Sequence, residues 1–149
     1  GVAFGSGADG AAARARALMA EGAMFAARGP RFFKDAMRAY ISAARLASDQ
    51  TGPLLEAGRI CRLLGRWGQA RRLFMAALAR DRRLWQAWVE GAECFDRFAY
   101  LRRALWLGRA IRLAASTGQT IPADIRERFL ANYGRLRAWE RWVIRTLTR

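Results

Sequence analysis

The feature that most constrains this chain is a pattern of small and bulky residues that returns every 34 positions. Phe33, Trp67 and Leu101 are spaced by 34, and so are Ala36, Ala70 and Ala104. Tyr40 and Phe74 share that spacing, as do Ala43 and Ala77. In the segments that precede these, Leu54 matches Trp88, Gly58 matches Ala92, Cys61 matches Phe95 and Gly65 matches Ala99. Gly22, Phe25 and Gly29 stand 36 positions before Gly58, Cys61 and Gly65, and Pro30-Arg31 supplies the two extra residues. Two antiparallel helices approach closely only where the facing side chains are small, and Ala or Gly at 36, 58, 70, 92 and 104 permits this. Trp67, Phe74, Trp88 and Phe95 then fill the space beside the contact. One such pair cannot bury its apolar face alone, so pairs must stack.

Helix punctuation agrees with that period. The prolines Pro30, Pro53 and Pro122 suit the first turn of a helix. Gly29, Gly65 and Gly134 each follow an amphipathic run, where a helix-ending glycine belongs. Asp9 and Asp81 are placed to cap the runs after them. Ala, Leu and Arg dominate and no alternating stretch is sustained, which argues against strands. The reading is eight helices near 9–28, 31–48, 53–64, 67–80, 82–97, 100–115, 122–133 and 135–148.

A 34-residue helix–turn–helix period with this small and aromatic pattern resembles the tetratricopeptide repeat family. The resemblance covers about residues 16–116 as three pairs, and "LLEAGRICRLLGRWGQARRLFMAALARD" is its best-matching pair. The family's closing proline is missing, with Asp81 and Arg82 in its place. Gly108 and Ile111 replace the large and small residues of the third pair. The implied architecture is an all-α antiparallel helix-hairpin solenoid. Residues 1–8 form a flexible lead or cloning remnant, 9–116 three helix pairs, and 117–149 a degenerate fourth pair or cap.

The resemblance also implies a concave groove lined by the first helix of each pair. Helical spacing places Leu55, Arg59, Arg62 and Arg66 on the stripe facing it, with Val89, Glu93 and Asp96 as the next repeat's stripe. Met19, Ala23 and Ala26 form the stripe of the first pair, so the groove runs from apolar through basic to acidic. Two readings of it stand side by side. Arg59 and Arg62 fork onto the carboxylates of a bound acidic or helical segment. Alternatively, Arg59 pairs with Glu93 and Arg62 with Asp96, which neutralises the stripe at roughly 0–1 kcal/mol per pair. The Lys and Asn clamp by which some family members hold chaperone tails has no counterpart, since the lysine is Lys34 and the asparagine Asn132.

Charge and residue inventory narrow the function class. The chain carries 27 Lys+Arg against 12 Asp+Glu, a net +15, which suits anionic partners. An arginine-favouring coding bias explains the same balance. Histidine is absent, and with it the commonest general base and metal ligand. No phosphate-binding glycine loop or metal cluster occurs, so neither a catalytic residue, a metal nor a cofactor is expected. Cys61 and Cys94 read as small buried hydrophobes. Arg71-Arg72, Arg82-Arg83, Arg102-Arg103 and Arg109/Arg112, with Trp85, Trp88 and Trp106 nearby, keep nucleic acid open as a partner, but those tryptophans fall where helix packing wants bulk. The last helix puts Leu136, Trp139, Val143 and Leu147 on one stripe, read first as an end cap, then as a partner or self-association contact, and last as an interfacial membrane helix. The expectation is a cytoplasmic, non-catalytic scaffold that binds another protein. Nucleic acid, an anionic membrane and self-assembly of the module in a larger protein are the alternatives.

Overall fold

The computed structural model describes residues 6–149 and is all-α. It contains eight α-helices among the described residues. The helices fall into two compact units, one up to Arg80 and one over Asp81–Arg149. The first holds α1 (Ser6–Ala27), a 3-10 turn at Pro30–Phe32, α2 (Phe33–Leu46), α3 (Gly52–Leu63) and α4 (Trp67–Arg80). The second holds α5 (Trp85–Ala92), α6 (Tyr100–Ser116), α7 (Ala123–Tyr133) and α8 (Ala138–Leu147). Residues 6–8, expected to be flexible, form the first turn of α1. The rest of that expectation, residues 1–5, lies outside the described residues.

Consecutive helices pack as pairs: α1 on α2, α3 on α4, and α5 on α6. In each pair a glycine of the first helix takes a ring of the second. A Cβ on Gly22 would stand 2.7 Å from the Tyr40 ring, and one on Gly58 would stand 2.6 Å from the Phe74 ring. Tyr40 and Phe74 are themselves buried, and Ala36, Ala43, Ala70 and Ala77 are fully buried around them. Each contact joins residues nearly equidistant from the intervening turn, as antiparallel helices require. The 34-residue spacing of Tyr40 and Phe74 thus marks one contact made twice.

The third pair makes the contact in a shifted register. Period-counting selects Ala92 and position 108, but the glycine is Gly91 and the ring is Trp106. Trp106 is held edge-on by Trp88 at 5.2 Å and by Phe95 at 4.9 Å. Gly108 serves the helices that follow instead: its Cβ position is 3.0 Å from Thr148 and 3.2 Å from Phe129. Trp67, expected to seal the second pair, is half exposed.

Helix ends follow local chemistry. Gly65 and Gly118 both have positive φ, 74° and 68°. At Gly65 the Arg66 N–H donates to Cys61 O at 2.8 Å and the Gly65 N–H to Arg62 O at 3.0 Å. This is a Schellman closure, and Gln119 and Gly118 repeat it onto Ala114 and Ala115. Gly134, expected to end a helix the same way, has an ordinary right-handed conformation (φ −62°), so glycine is not required there. Asp9 lies inside the first turn of α1 and not ahead of it, while Asp81 Oδ1 accepts the Arg83 N–H in a turn ahead of α5. Pro30 and Pro53 sit in helical first turns, and Pro122 stands just outside α7.

The core of the first unit joins all four helices around Ala36, Tyr40, Ala57 and Ile60. In the second unit Val89, Ala92, Leu107, Ala110 and Ile125 form one cluster, and Ala104, Leu136 and Ile144 another. Both cysteines are buried. Cys61 Sγ lies 3.3 Å from Met37 Sδ.

Candidate functional site

Four of the seven expected contact residues belong to the first unit and three to the second, and each set is described on its own. In the first unit α3 carries Leu55, Arg59 and Arg62 at i, i+4 and i+7, so they share one face. All three are half-buried. The opposite face (Leu54, Ala57, Gly58, Cys61) is buried against α2 and α4, which orients the arginine face away from the core. Arg66 stands just past the helix end in the Schellman closure, exposed, with Nη1 4.0 Å from Met37 Sδ.

Arg59 donates to Glu56 Oε1 at 2.6 Å, within the same helix. An i,i+3 partner on the same helix was available from spacing alone. Burial pushes the nearby Cys61 thiol above its ordinary range, and the Arg66 guanidinium partly opposes this. Cys61 itself is fully buried and packs against Met37.

The second unit departs from the expected stripe. Helix α5 ends at Ala92 instead of continuing to 97. Glu93, Cys94 and Phe95 follow in tight turns, with Cys94 N–H donating to Gly91 O and Phe95 N–H to Ala92 O. Asp96 Oδ1 accepts the Phe98 N–H at 2.8 Å, a local bond that competes with helix continuation. Val89, Glu93 and Asp96 therefore do not form one helical stripe. Val89 is buried in the core (7% exposed), packed with Leu107 and Ile125. Glu93 accepts a 2.5 Å bond from Arg128 of α7, whose guanidinium also lies 4.0 Å from Asp124. The apolar stripe expected on α1 is also altered, because Met19 packs into the first unit's core.

Compared with models of known protein families and with curated proteins, the chain matches none of them.

Three features escaped the sequence reasoning. Arg80, at the end of α4, donates to Ala44 O, Ala47 O and Gln50 O at 2.9–3.0 Å, so one guanidinium closes the C-terminal end of α2. No local spacing signals a bond across 30 or more positions. A cleft of about 310 Å³ in the second unit is lined by Phe98, Tyr100, Arg102, Arg135, Leu136 and Glu140. The Arg135 guanidinium lies 5.7 Å from the Tyr100 ring centre there, and Glu140 accepts the Arg137 N–H at 3.0 Å. Third, α8 is seated differently from its expected stripe. Leu136 precedes the helix, in extended backbone at Arg137, so helical spacing counted from it fails. Leu136 and Ile144 enter the core, whereas Trp139, Trp142 and Leu147 are 59%, 61% and 51% exposed.

The tryptophans considered as base-stacking platforms are used otherwise. Trp85, Trp88 and Trp106 pack around the second unit's core, and Arg109 lies 5.0 Å over the Trp88 ring. Among the described residues no three Cys, Asp or Glu side chains converge to hold a metal ion. No described helix is long and apolar enough to cross a membrane.

Proposed function

We propose that the chain is a tetratricopeptide-like repeat module that binds an acidic segment of a partner protein on the outward face of α3. The equivalent glycine–ring contacts at Gly22/Tyr40 and Gly58/Phe74 support the repeat assignment. The single observation that carries the function is the set Leu55, Arg59 and Arg62, presented from one helix whose other face is locked in the core, with Arg66 in the turn that closes it. A rigid helix loses little entropy on docking, so an incoming segment meets preformed contacts. The aliphatic stem of Leu55 supplies apolar contact, and guanidinium forks engage carboxylates. Glu56 holds Arg59 in the unbound chain, and an acidic ligand competes with it for that guanidinium.

The test is fluorescence anisotropy with a labelled glutamate-rich helical peptide, run beside labelled single-stranded RNA at two salt concentrations. Arg59→Glu with Arg62→Glu weakens peptide binding at least about tenfold while helicity is kept, given charge-assisted bonds of about 1.5–3 kcal/mol. Unchanged binding removes α3 as the site. Tight RNA binding with a steep salt slope, and no peptide binding, replaces this reading with a nucleic-acid one.

A further inference from the structure

Helix α8 is amphipathic twice over. One side seats Ile144 against α6, with Leu136 anchoring the entering chain. The other side turns Trp139, Trp142 and Leu147 outward, each more than half exposed. An end cap whose task is to hide apolar surface does not place two indoles in water. Residues 135–149 also carry five arginines against one glutamate, and Arg135, Arg137 and Arg145 are exposed.

From this pairing of exposed indoles with flanking guanidinium groups we infer that α8 is an interfacial helix that lies on an anionic lipid bilayer. Trp139, Trp142 and Leu147 enter the boundary between headgroups and acyl chains, while Arg145 and its neighbours meet lipid phosphates. Three points favour this occupant. Tryptophan partitions to the headgroup level, where its apolar ring and its N–H are both satisfied. The charge is complementary, since basic side chains beside an apolar face gain attraction from anionic lipid. A second copy fits worse, because apposing two such faces brings the same arginines together. The inference rests on the second unit and is independent of the α3 reading.

Vesicle flotation with the whole chain tests it. The chain is expected to float with phosphatidylcholine–phosphatidylglycerol vesicles and to stay behind with phosphatidylcholine alone. Trp139→Ala with Trp142→Ala lowers the floated fraction about tenfold or more, as loss of two interfacial rings requires. Both rings are largely exposed, so circular dichroism and melting stay near those of the parent. Brominated phosphatidylcholine mixed into the anionic vesicles supplies a readout that needs no variant, because it quenches tryptophan emission where indoles enter the bilayer. Absence of flotation with anionic vesicles overturns the proposal. So does equal flotation of the double variant, which assigns binding to arginines elsewhere, and so does unquenched emission. A Trp139- and Trp142-dependent dimer in sedimentation without lipid, or a glutamate-rich peptide bound through these rings in place of vesicles, overturns it in favour of a second copy or of an acidic protein partner.

Discussion

Replacing Gly58 by alanine sets two effects of opposite sign against each other. Alanine is the better helix former by about 1 kcal/mol. The added Cβ, however, stands 2.6 Å from Phe74 Cε1, 2.9 Å from Cζ and 3.0 Å from Cδ1. Ordinary contact begins near 3.4 Å, so α3 and α4 must separate by close to an ångström or the ring must leave its rotamer. Phe74 is fully buried and has no open side to turn toward. Overpacking of that kind costs about 1–3 kcal/mol. With the helix gain subtracted, Gly58→Ala is expected to destabilise the chain by roughly 0–2 kcal/mol. Gly10→Ala isolates the favourable effect, because Gly10 lies in α1 with nothing near its Cβ position. Urea denaturation followed by circular dichroism measures both. The two variants should differ by about 1–3 kcal/mol, and adding Phe74→Leu to Gly58→Ala should recover part of the loss through non-additivity. If Gly58→Ala is stabilised as much as Gly10→Ala, the close α3–α4 contact is not what the glycine is for.

Arg80→Ala removes a guanidinium that holds three carbonyls at the end of α2. A loss of about 1–3 kcal/mol is expected, and Arg80→Lys should recover only part of it, since one ammonium cannot span the same three acceptors. Gly91→Ala meets the Trp106 ring and, with the same helix gain subtracted, is expected to destabilise the second unit by roughly 0–2 kcal/mol, whereas Ala92→Gly, at the position the 34-residue period selects, costs about 1 kcal/mol of helix propensity; thermal melts of the two variants compare them. Burial, and then the charge of Glu56, raises the Tyr40 phenol above its ordinary 10.0. Its neutral form is therefore favoured by folding, so its contribution is intact below pH 10 and is lost as pH rises from there through the raised value. Tyr40→Phe should flatten that alkaline loss in a pH series of urea midpoints.

Helix positions were readable because their signals are local. Pro30 and Pro53 fall in first turns, and the Gly65 closure needs only residues 61–66. The glycine–ring contact was readable in the first two pairs because Tyr40 and Phe74 occupy equivalent positions. In the third pair two small residues, Gly91 and Ala92, stand side by side, and periodicity cannot choose between them. Trp106 decides the register: a ring wedged edge-on between Trp88 and Phe95 needs the residue with no side chain beneath it. The shift then releases Gly108 to receive Phe129 and Thr148, so one displaced contact sets where α7 and the residue after α8 pack. The expected helical stripe over Val89, Glu93 and Asp96 is broken for a different reason. Its spacing assumed a helix to 97, and a single short side chain, Asp96, offers the backbone a competing turn through Phe98. With α5 ending at Ala92, Glu93 lies in the turn that follows, where Arg128 reaches it, and Val89 lies in the core. The same dependence on a local boundary governs α8. Because the helix starts at Ala138 and not at 135, Ile144 becomes its buried anchor, and the two indoles that stripe-counting would have divided between core and solvent both face outward.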